Sequence, residues 1–361
     1  MYIEKVKLNG YRNYDGANVA FSPALNVIRG ANAVGKTNLI ESVYFAGLGK
    51  SPRLSQDKDL IMWGKDQSYI AIDVVKKYRK HTLEFHLDSK GKKRIAIDKI
   101  PLLKMSELIG FINIVYFSPD EIRLIKESPQ ERRRFMDISL TQQKKTYLYA
   151  LSRYNKILLQ RNKLLKTMRD ITALKSTLPV WDIQLAKEGA IVISERYAFV
   201  EKLKKIAARK HFLLTLGKET LEMEYETGVE NASLGEMSDA LLNSYTAAYD
   251  KDILLQHTSV GPHRDDLKLI VDGIDIRKFG SQGQQRTTAL SLKLAEIEGF
   301  RNETGENPVL LLDDVLSELD ETRQKQLLKA TEGIQTMLTC TEFNLSADGL
   351  KPNFIDIPLE K

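Results

Sequence analysis

The sequence is poor in cysteine, histidine and long apolar runs. Its 361 residues include one Cys and five scattered His, so an internal disulfide is impossible and a zinc cluster is not expected. Such low cysteine use is typical of a reducing compartment. No stretch reaches the roughly 18 apolar residues of a membrane-spanning helix, and the first residues lack the apolar core of a signal peptide. We therefore expect a cytoplasmic protein without a membrane partner.

Neither sign of charge dominates the chain. There are 54 Lys and Arg against 48 Asp and Glu, a formal net charge of +6, which permits nucleic-acid binding without requiring it. Apolar residues make up 42% of the chain. This is enough for a large buried core, and the length predicts two domains.

The hydrophobic period changes twice along the chain. Short β-forming runs dominate up to about residue 117, helical spacing follows, and strands return at "DDLKLIVDGIDI". We predict two long antiparallel helices between residues 140 and 216, with Pro179 starting the second. The segments "DSKG" and Asp272-Gly273 predict hairpin turns. The pattern predicts a discontinuous head domain, residues 1–117 and 251–361, and a helical arm domain, residues 118–250.

"GANAVGKT" fits the phosphate-binding pattern G-x-x-x-x-G-K-[ST]. It follows the strand "LNVIR" and precedes a helical segment, which is the context that this loop requires. In such a loop the backbone N–H groups face the phosphates, Lys36 reaches the β and γ oxygens, and Thr37 offers its hydroxyl to Mg²⁺. The alternative is a glycine turn before a helix. The residues assigned to nucleotide binding are Gly30, Ala31, Asn32, Ala33, Val34, Gly35, Lys36, Thr37 and Asn38.

"PVLLLDD" predicts a buried strand that ends in two carboxylates. Ligands of open α/β sheets bind at the carboxyl ends of strands. We expect Asp313 to hold Mg²⁺ through water and Asp314 to orient or deprotonate an attacking water. The alternative is a strand followed by an acidic helix cap.

"FGSQGQQR" opens a helix with small and amide residues. Ser281 can cap this helix, but capping requires neither Gly283 nor the neighbouring amides. A helix start of this composition is suited to a phosphate.

The order of these motifs resembles the ATPase heads of the SMC and ABC superfamily. The segments "LNGYRNY", "SPQERRRFMD", "TSVGPHRDD" and "LLLDDVLSELD" are in addition similar to the RecF family of bacterial recombination proteins. The resemblance implies an α/β fold. Its parts are an ABC/SMC-like ATPase head, with a P-loop mixed sheet and an antiparallel β-subdomain, and an inserted arm of long helices.

The same resemblance implies an ATP- and Mg²⁺-dependent homodimer that binds duplex, gapped or junction DNA. Such a protein works with RecR and RecO in loading recombinase and hydrolyses ATP slowly, with Lys36 and Asp314 as catalytic residues. By position, Arg12 and Asn13 approach the nucleotide and Asp320 lines the dimer contact; the alternative is that they are turn and cap residues. The signature residues that would reach ATP on the other subunit are Ser281, Gln282, Gly283 and Gln284.

Three features depart from the ABC pattern. The usual signature is Leu-Ser-Gly-Gly-Gln, whereas here Gly283 stands alone. Asp314 replaces the usual catalytic Glu, and no His follows the strand "TMLTC", where Thr341 or Glu342 stands instead. The sequence therefore does not assign the residue that senses the γ-phosphate.

Two basic segments have both a structural and a DNA-binding interpretation. Arg132, Arg133 and Arg134 suit DNA, but they also suit ion pairs with Glu131 and Asp137. In "TSVGPHRDD", His263 and Arg264 suit DNA or ATP, but the loop can equally shape the signature's approach.

Two other function classes are less consistent with the sequence. An ABC-type ATPase with another mechanical role, such as a transporter subunit, would have a short helical insertion and the full signature. A metabolic P-loop kinase needs a substrate lid and no signature helix.

Overall fold

A computed structural model describes residues 1–343 and 351–357. By contacts the chain forms two compact units, Met1–Glu121 with Leu290–Lys361, and Ile122–Ala289. Residues 251–289, which the sequence pattern placed with the head, thus cluster with the helical part. The reason is that strand Asp266–Val271 pairs with strand Leu221–Glu226 in the same unit. The division of the chain into a functional head domain and a functional arm domain stays a prediction.

The strands and helices are numbered along the chain. The strands are β1 (Tyr2–Tyr11), β2 (Tyr14–Ala20), β3 (Leu25–Arg29), β4 (Gln67–Val75), β5 (Lys80–Asp88), β6 (Lys93–Ile97), β7 (Ile100–Pro101), β8 (Ile114–Phe117), β9 (Leu221–Glu226), β10 (Asp266–Val271), β11 (Ile274–Asp275), β12 (Val309–Asp313), β13 (Thr336–Cys340) and β14 (Asn353–Asp356). The α-helices are α1 (Lys36–Leu48), α2 (Met105–Leu108), α3 (Arg123–Lys126), α4 (Pro129–Gln143), α5 (Lys145–Thr167), α6 (Ile171–Leu214), α7 (Leu234–Ala247), α8 (Tyr249–Leu255), α9 (Ile276–Phe279), α10 (Gln282–Thr304) and α11 (Glu321–Ala330). Short 3₁₀ turns are Asp57–Leu60, Pro119–Ile122, Pro262–Arg264 and Leu316–Glu318.

The first unit contains two sheets and α1. One sheet is antiparallel, in the order β2-β1-β4-β5-β6-β7, and the other is parallel, in the order β14-β3-β13-β12-β8. Helix α1 is apolar on most of its surface, so it is buried, and Phe45 packs against Phe85 of β5 with ring centroids 5.1 Å apart. The predicted "DSKG" hairpin is confirmed between β5 and β6. Because these strands are parallel, the carboxyl ends of β3 and β12 lie on the same side of the sheet.

The second unit is built on α5 and α6, with the small sheet β11-β10-β9. The Asp272-Gly273 hairpin is confirmed, since Val271 pairs with Ile274 and both turn residues have positive φ. The prediction for Pro179 is wrong, because this residue lies inside α6. Helix α6 has 44 residues and is about 66 Å long. Among the described residues, no helix is long and apolar enough to cross a membrane.

The start of α6 is fixed by a cap and by packing. The Asp170 side chain accepts hydrogen bonds from the N–H groups of Thr172 and Ala173, which satisfies donors that a helix start leaves open. Leu174 and Leu178 are buried against Leu165 of α5. These contacts hold a helical backbone through Pro179 despite the hydrogen bond that proline cannot make.

Candidate nucleotide-binding site

The loop from Gly30 to Gly35 connects β3 to α1, which confirms the predicted strand and helix around it. Gly35 has φ +115, and a Cβ added there would collide with the side chain of Asn13. A Cβ on Gly30 would collide with the carbonyl oxygen of Ile357. The loop therefore needs glycine at both positions because of close approach, and it leaves residues 31–33 exposed.

Lys36 is folded over this loop. Its Nζ lies 2.6 Å from the carbonyl oxygen of Gly30 and 2.8 Å from that of Ala31, and the residue is only 9% exposed. An ammonium group donates up to three hydrogen bonds. The charge of Lys36 is thus held against the carbonyl groups of the loop itself.

Thr37 and Asp313 bring the loop and the end of β12 together. The Thr37 hydroxyl donates to Asp313 Oδ1 at 3.0 Å, and Thr339 on β13 donates to the same oxygen at 2.8 Å. The Tyr116 hydroxyl on β8 donates to Asp313 Oδ2 at 3.3 Å. Burial, followed by the charge of Asp313, raises the pKa of Tyr116, so it remains a donor. Neither Thr339 nor Tyr116 was predicted, because only the strand order places them beside Asp313.

Asp314 follows β12 in a left-handed backbone conformation. Its φ is +54, which a short polar side chain tolerates better than most. Its N–H donates to Thr339 Oγ1 at 2.9 Å, and the residue is exposed. The turn therefore separates the two carboxylates, with Asp313 buried beside Thr37 and Asp314 facing outward.

Arg12 binds Glu41 on α1. Its Nε and Nη2 lie 2.8 and 2.9 Å from the two carboxylate oxygens, and Ser51 Oγ lies 2.6 Å from Oε1. Burial alone would raise the pKa of Glu41, but the hydrogen bonds from Arg12 and Ser51 and the charge of Arg53 lower it. In this structure Arg12 thus supports α1, and its approach to a nucleotide stays a prediction.

Asn13, Asn38 and Arg53 form a chain of hydrogen bonds beside the loop. Asn13 Nδ2 donates to the Val34 carbonyl at 2.8 Å, and Asn38 Nδ2 donates to Asn13 Oδ1 at 2.8 Å. Arg53 Nη2 donates to Asn38 Oδ1 at 2.9 Å. Arg53, which the sequence analysis did not single out, is 40% exposed in its side chain. It adds a cation next to the loop.

The signature residues begin α10 in the second unit. Ser281 Oγ accepts the N–H of Gln284 at 3.2 Å, and Gln284 Oε1 accepts the N–H of Ser281 at 3.0 Å. This reciprocal pair is a capping box, so the predicted cap by Ser281 is confirmed. Ser281, Gln282 and Gly283 are exposed. The helix start is therefore held by its own hydrogen bonds while its small residues face outward.

Asp320 caps α11. Its Oδ1 accepts the N–H of Arg323 at 3.0 Å, and its Oδ2 pairs with the Arg323 guanidinium. The backbone hydrogen bond from Arg323, with help from its charge, lowers the pKa of Asp320. The cap role is thus visible in the structure, and the dimer contact stays a prediction.

Comparison with known proteins identifies the family. Residues 2–347 match the family model for the RecF/RecN/SMC N terminal domain. The DNA replication and repair protein RecF of Agathobacter rectalis is 46% identical over 341 residues, which cover 94% of this chain and 92% of that relative. The chain belongs to the RecF family.

Solved structures agree with this assignment. The recombination mediator protein RecF-ATPrS in the RecFOR pathway matches with a TM-score of 0.89 and 36% identity, covering 95% of this chain and 93% of that chain. An Smc head bound to the C-winged helix domain of ScpA matches with a TM-score of 0.56 and 17% identity, over 95% of this chain and 90% of that one. The latter shows a shared fold. The RecF resemblance and the α/β fold of an ABC/SMC-like head with a helical insertion are confirmed.

In this RecF-family chain the arginine triplet is largely engaged within the second unit. Arg132 is 2% exposed and binds both carboxylate oxygens of Asp266, at 2.6 and 2.9 Å. Arg133 donates to the carbonyl of Asp265 at 2.5 Å, and Arg134 lies 3.8 Å from Glu131. These contacts support the structural interpretation of the triplet.

The segment "TSVGPHRDD" of the RecF pattern is tied to a buried polar network. Arg196 donates to the Pro262 carbonyl at 2.7 Å and binds Asp137 at 2.8 Å. Asp137, which was expected to pair with the arginine triplet, therefore binds Arg196 instead. His263 Nδ1 lies 2.6 Å from the Tyr154 hydroxyl. The loop-shaping interpretation of His263 is favoured.

Proposed function

We propose that this RecF-family chain is an ATP-dependent DNA-binding protein of recombinational repair and replication restart. In the proposed cycle, ATP joins two subunits into a clamp on DNA, and slow hydrolysis releases it. The observation that carries the proposal is the 3.0 Å contact between Thr37 Oγ1 and Asp313 Oδ1 beside a glycine loop that contains Lys36. It joins a phosphate-binding loop to a strand-end carboxylate, the combination that P-loop ATPases use.

The residues present fit Mg²⁺ with ATP. Hydroxyl and carboxylate oxygens are the ligands that Mg²⁺ takes, and the ion keeps further positions for phosphate oxygens and water. Thr37 and Asp313 would hold it. Within the described ranges there is no group of three or more His, Cys, Asp or Glu that could hold a metal ion. When bound, the ion would neutralise charge on the β and γ oxygens.

Each remaining residue has a distinct proposed role. Lys36 turns its ammonium from the loop carbonyls to phosphate oxygens, and Asp314, exposed at the end of β12, orients or deprotonates the attacking water. Arg12 and Asn13 lie beside the loop. From the other subunit, the capped start of α10 contacts the γ-phosphate with Ser281 and its neighbours, and Asp320 lines the dimer contact.

Two partners besides DNA are proposed from the family. The solved RecF relative belongs to the RecFOR pathway, and this supports RecR and RecO as partners of the present chain. The DNA substrate would be duplex, gapped or junction DNA. A cytoplasmic location is proposed because the chain has a single Cys, and low cysteine use is typical of a reducing compartment.

ATP-dependent dimerisation tests the proposal. Analytical ultracentrifugation with and without ATP and Mg²⁺ is expected to show a dimer only with nucleotide, and gapped DNA is expected to be retained by that dimer. Lys36→Met should stay monomeric, because the charge that faces the β and γ oxygens is lost. Lys50→Met, which changes an exposed lysine after α1, is the control for charge. A wild-type chain that remains monomeric with ATP, as a metabolic kinase would, contradicts the proposal.

A further inference from the structure

The signature glutamine is held by a carboxylate from outside the motif. Glu219, five residues after the end of α6, lies with its Oε1 3.1 Å from Gln284 Nε2. Its Oε2 lies 3.2 Å from Nε2 of His211, a fully buried residue of α6. We infer that Glu219 is a positioning residue that orients the Gln284 amide for the contact with ATP on the other subunit. This inference rests on the proposed function.

The hydrogen bonds fix which way the Gln284 amide points. Its Oε1 accepts the N–H of Ser281 and its Nε2 donates to Glu219. If the amide were flipped, its NH₂ would face the Ser281 N–H and its oxygen would face a carboxylate, so donors would meet donors and acceptors would meet acceptors. Glu219 therefore selects one orientation of the amide and stabilises the capping box that holds Ser281.

Glu219 is itself held firmly. A carboxylate only accepts hydrogen bonds, so Nε2 of His211 carries the hydrogen in their contact. The Glu219 N–H donates to Thr215 Oγ1 at 3.3 Å, and the next residue, Thr220, donates its N–H to Asp272 Oδ1 at 2.9 Å. The Glu219 side chain is 22% exposed. The end of α6 and the start of α10 are thus linked by one largely buried carboxylate.

Positioning by Glu219 predicts a loss of dimerisation without a loss of ATP binding. Glu219→Ala leaves the Gln284 Nε2 without its acceptor, so that only the hydrogen bond from the Ser281 N–H still orients the amide. The ATP-induced dimer should weaken about tenfold or more, the scale of one charged hydrogen bond. ATP binding by the monomer should stay within about twofold, because the P-loop is unchanged. Glu222→Ala is the matched control, since Glu222 on β9 is exposed and its removal changes the net charge equally.

A double variant separates positioning from folding. If Glu219 acts through Gln284, Glu219→Ala should have little further effect on dimerisation in a Gln284→Ala background, because coupled residues are not additive. If Glu219→Ala proves unfolded by circular dichroism, Glu219→Asp replaces it. Aspartate keeps the charge, but it is one methylene too short to span His211 and Gln284.

The experiment is sedimentation velocity of the full chain with ATP and Mg²⁺, beside fluorescence titration of a labelled ATP. The inference is supported if the wild type dimerises, if Glu219→Ala dimerises weakly but binds ATP normally, and if the effects of Glu219→Ala and Gln284→Ala on dimerisation are not additive. The inference is overturned if Glu219→Ala dimerises as tightly as the wild type, or if the two effects add in the double variant. In that case the proposed function still stands. A wild-type chain that fails to dimerise overturns both.

Discussion

Thr37 Oγ1 donates a hydrogen bond to Asp313 Oδ1 at 3.0 Å, although 276 positions separate the two residues in the chain. The contact exists because β3 and β12 flank β13 in one parallel sheet, so that the start of α1 and the end of β12 meet at the same edge. Asp313 also accepts from Thr339, which turns one oxygen into a shared acceptor. The roles proposed for the buried Asp313 and the exposed Asp314 are based on this geometry.

Asp314→Asn is expected to keep ATP binding and to lock the dimer. Asp313 is still present for Mg²⁺, while the carboxylate that would activate water is replaced by a neutral amide. Hydrolysis should fall by about two orders of magnitude or more, the usual scale for removal of a general base. Phosphate release under saturating ATP measures this rate. Unchanged turnover would mean that another group activates the water.

The stability of the second unit is expected to depend on a buried arginine. Arg161 on α5 binds Asp182 at 2.6 Å and Asp252 at 2.7 Å, and all three side chains are fully buried. Arg161→Met leaves two buried carboxylates without their counter-charge, which should cost about 3–5 kcal/mol in the free energy of unfolding. Circular dichroism during urea titration measures the change.

An exposed ion pair provides the control for Arg161. Lys175 lies 2.8 Å from Asp250, with side chains 45% and 90% exposed. Lys175→Met should cost less than about 1 kcal/mol, because solvent screens an exposed pair. Equal shifts of the unfolding transition in the two variants would contradict the importance of the buried pair.

His263 is expected to make stability depend on pH. Burial lowers the pKa of His263 from 6.5 to about 4. The unfolded chain therefore binds this proton first, and the folded state loses stability as pH falls from about 6.5 to about 4, by up to about 3 kcal/mol. Above pH 6.5 the contribution is complete and constant.

The measurement compares the slope of unfolding free energy against pH in the wild type and in His263→Gln. Glutamine keeps a polar side chain near Tyr154 but does not titrate. The variant should have a shallower slope between pH 6.5 and 4 and the same slope between pH 7 and 8. Identical slopes in both ranges would show that His263 titrates normally.

Features encoded by neighbouring residues could be predicted from the sequence. The glycine loop with its strand and helix, the Asp272-Gly273 hairpin and the Ser281 cap each depend on a few consecutive residues, and the structure confirms all three. Turn and cap preferences act over this short range.

Features that depend on contacts distant in sequence could not be predicted. The binding of Arg12 to Glu41 and the hydrogen bond from Thr339 to Asp313 require the sheet order to be known. At Pro179 the local preference of proline for a helix start is overridden by the Asp170 cap and by buried leucines of α5 and α6. Tertiary packing decides such cases.

The sharing of ATP between subunits is tested most directly by mixing two inactive variants. Ser281→Arg places a long side chain at the exposed start of α10, so it should bind ATP as a monomer but fail to close on a second Ser281→Arg subunit. Lys36→Met lacks the P-loop charge.

A mixed dimer has one doubly damaged site and one intact site. DNA-stimulated phosphate release should therefore return in the mixture, with the heterodimer verified by native mass spectrometry. A verified heterodimer as inactive as each parent, or loss of monomer ATP binding in Ser281→Arg, would contradict a signature that acts across the dimer.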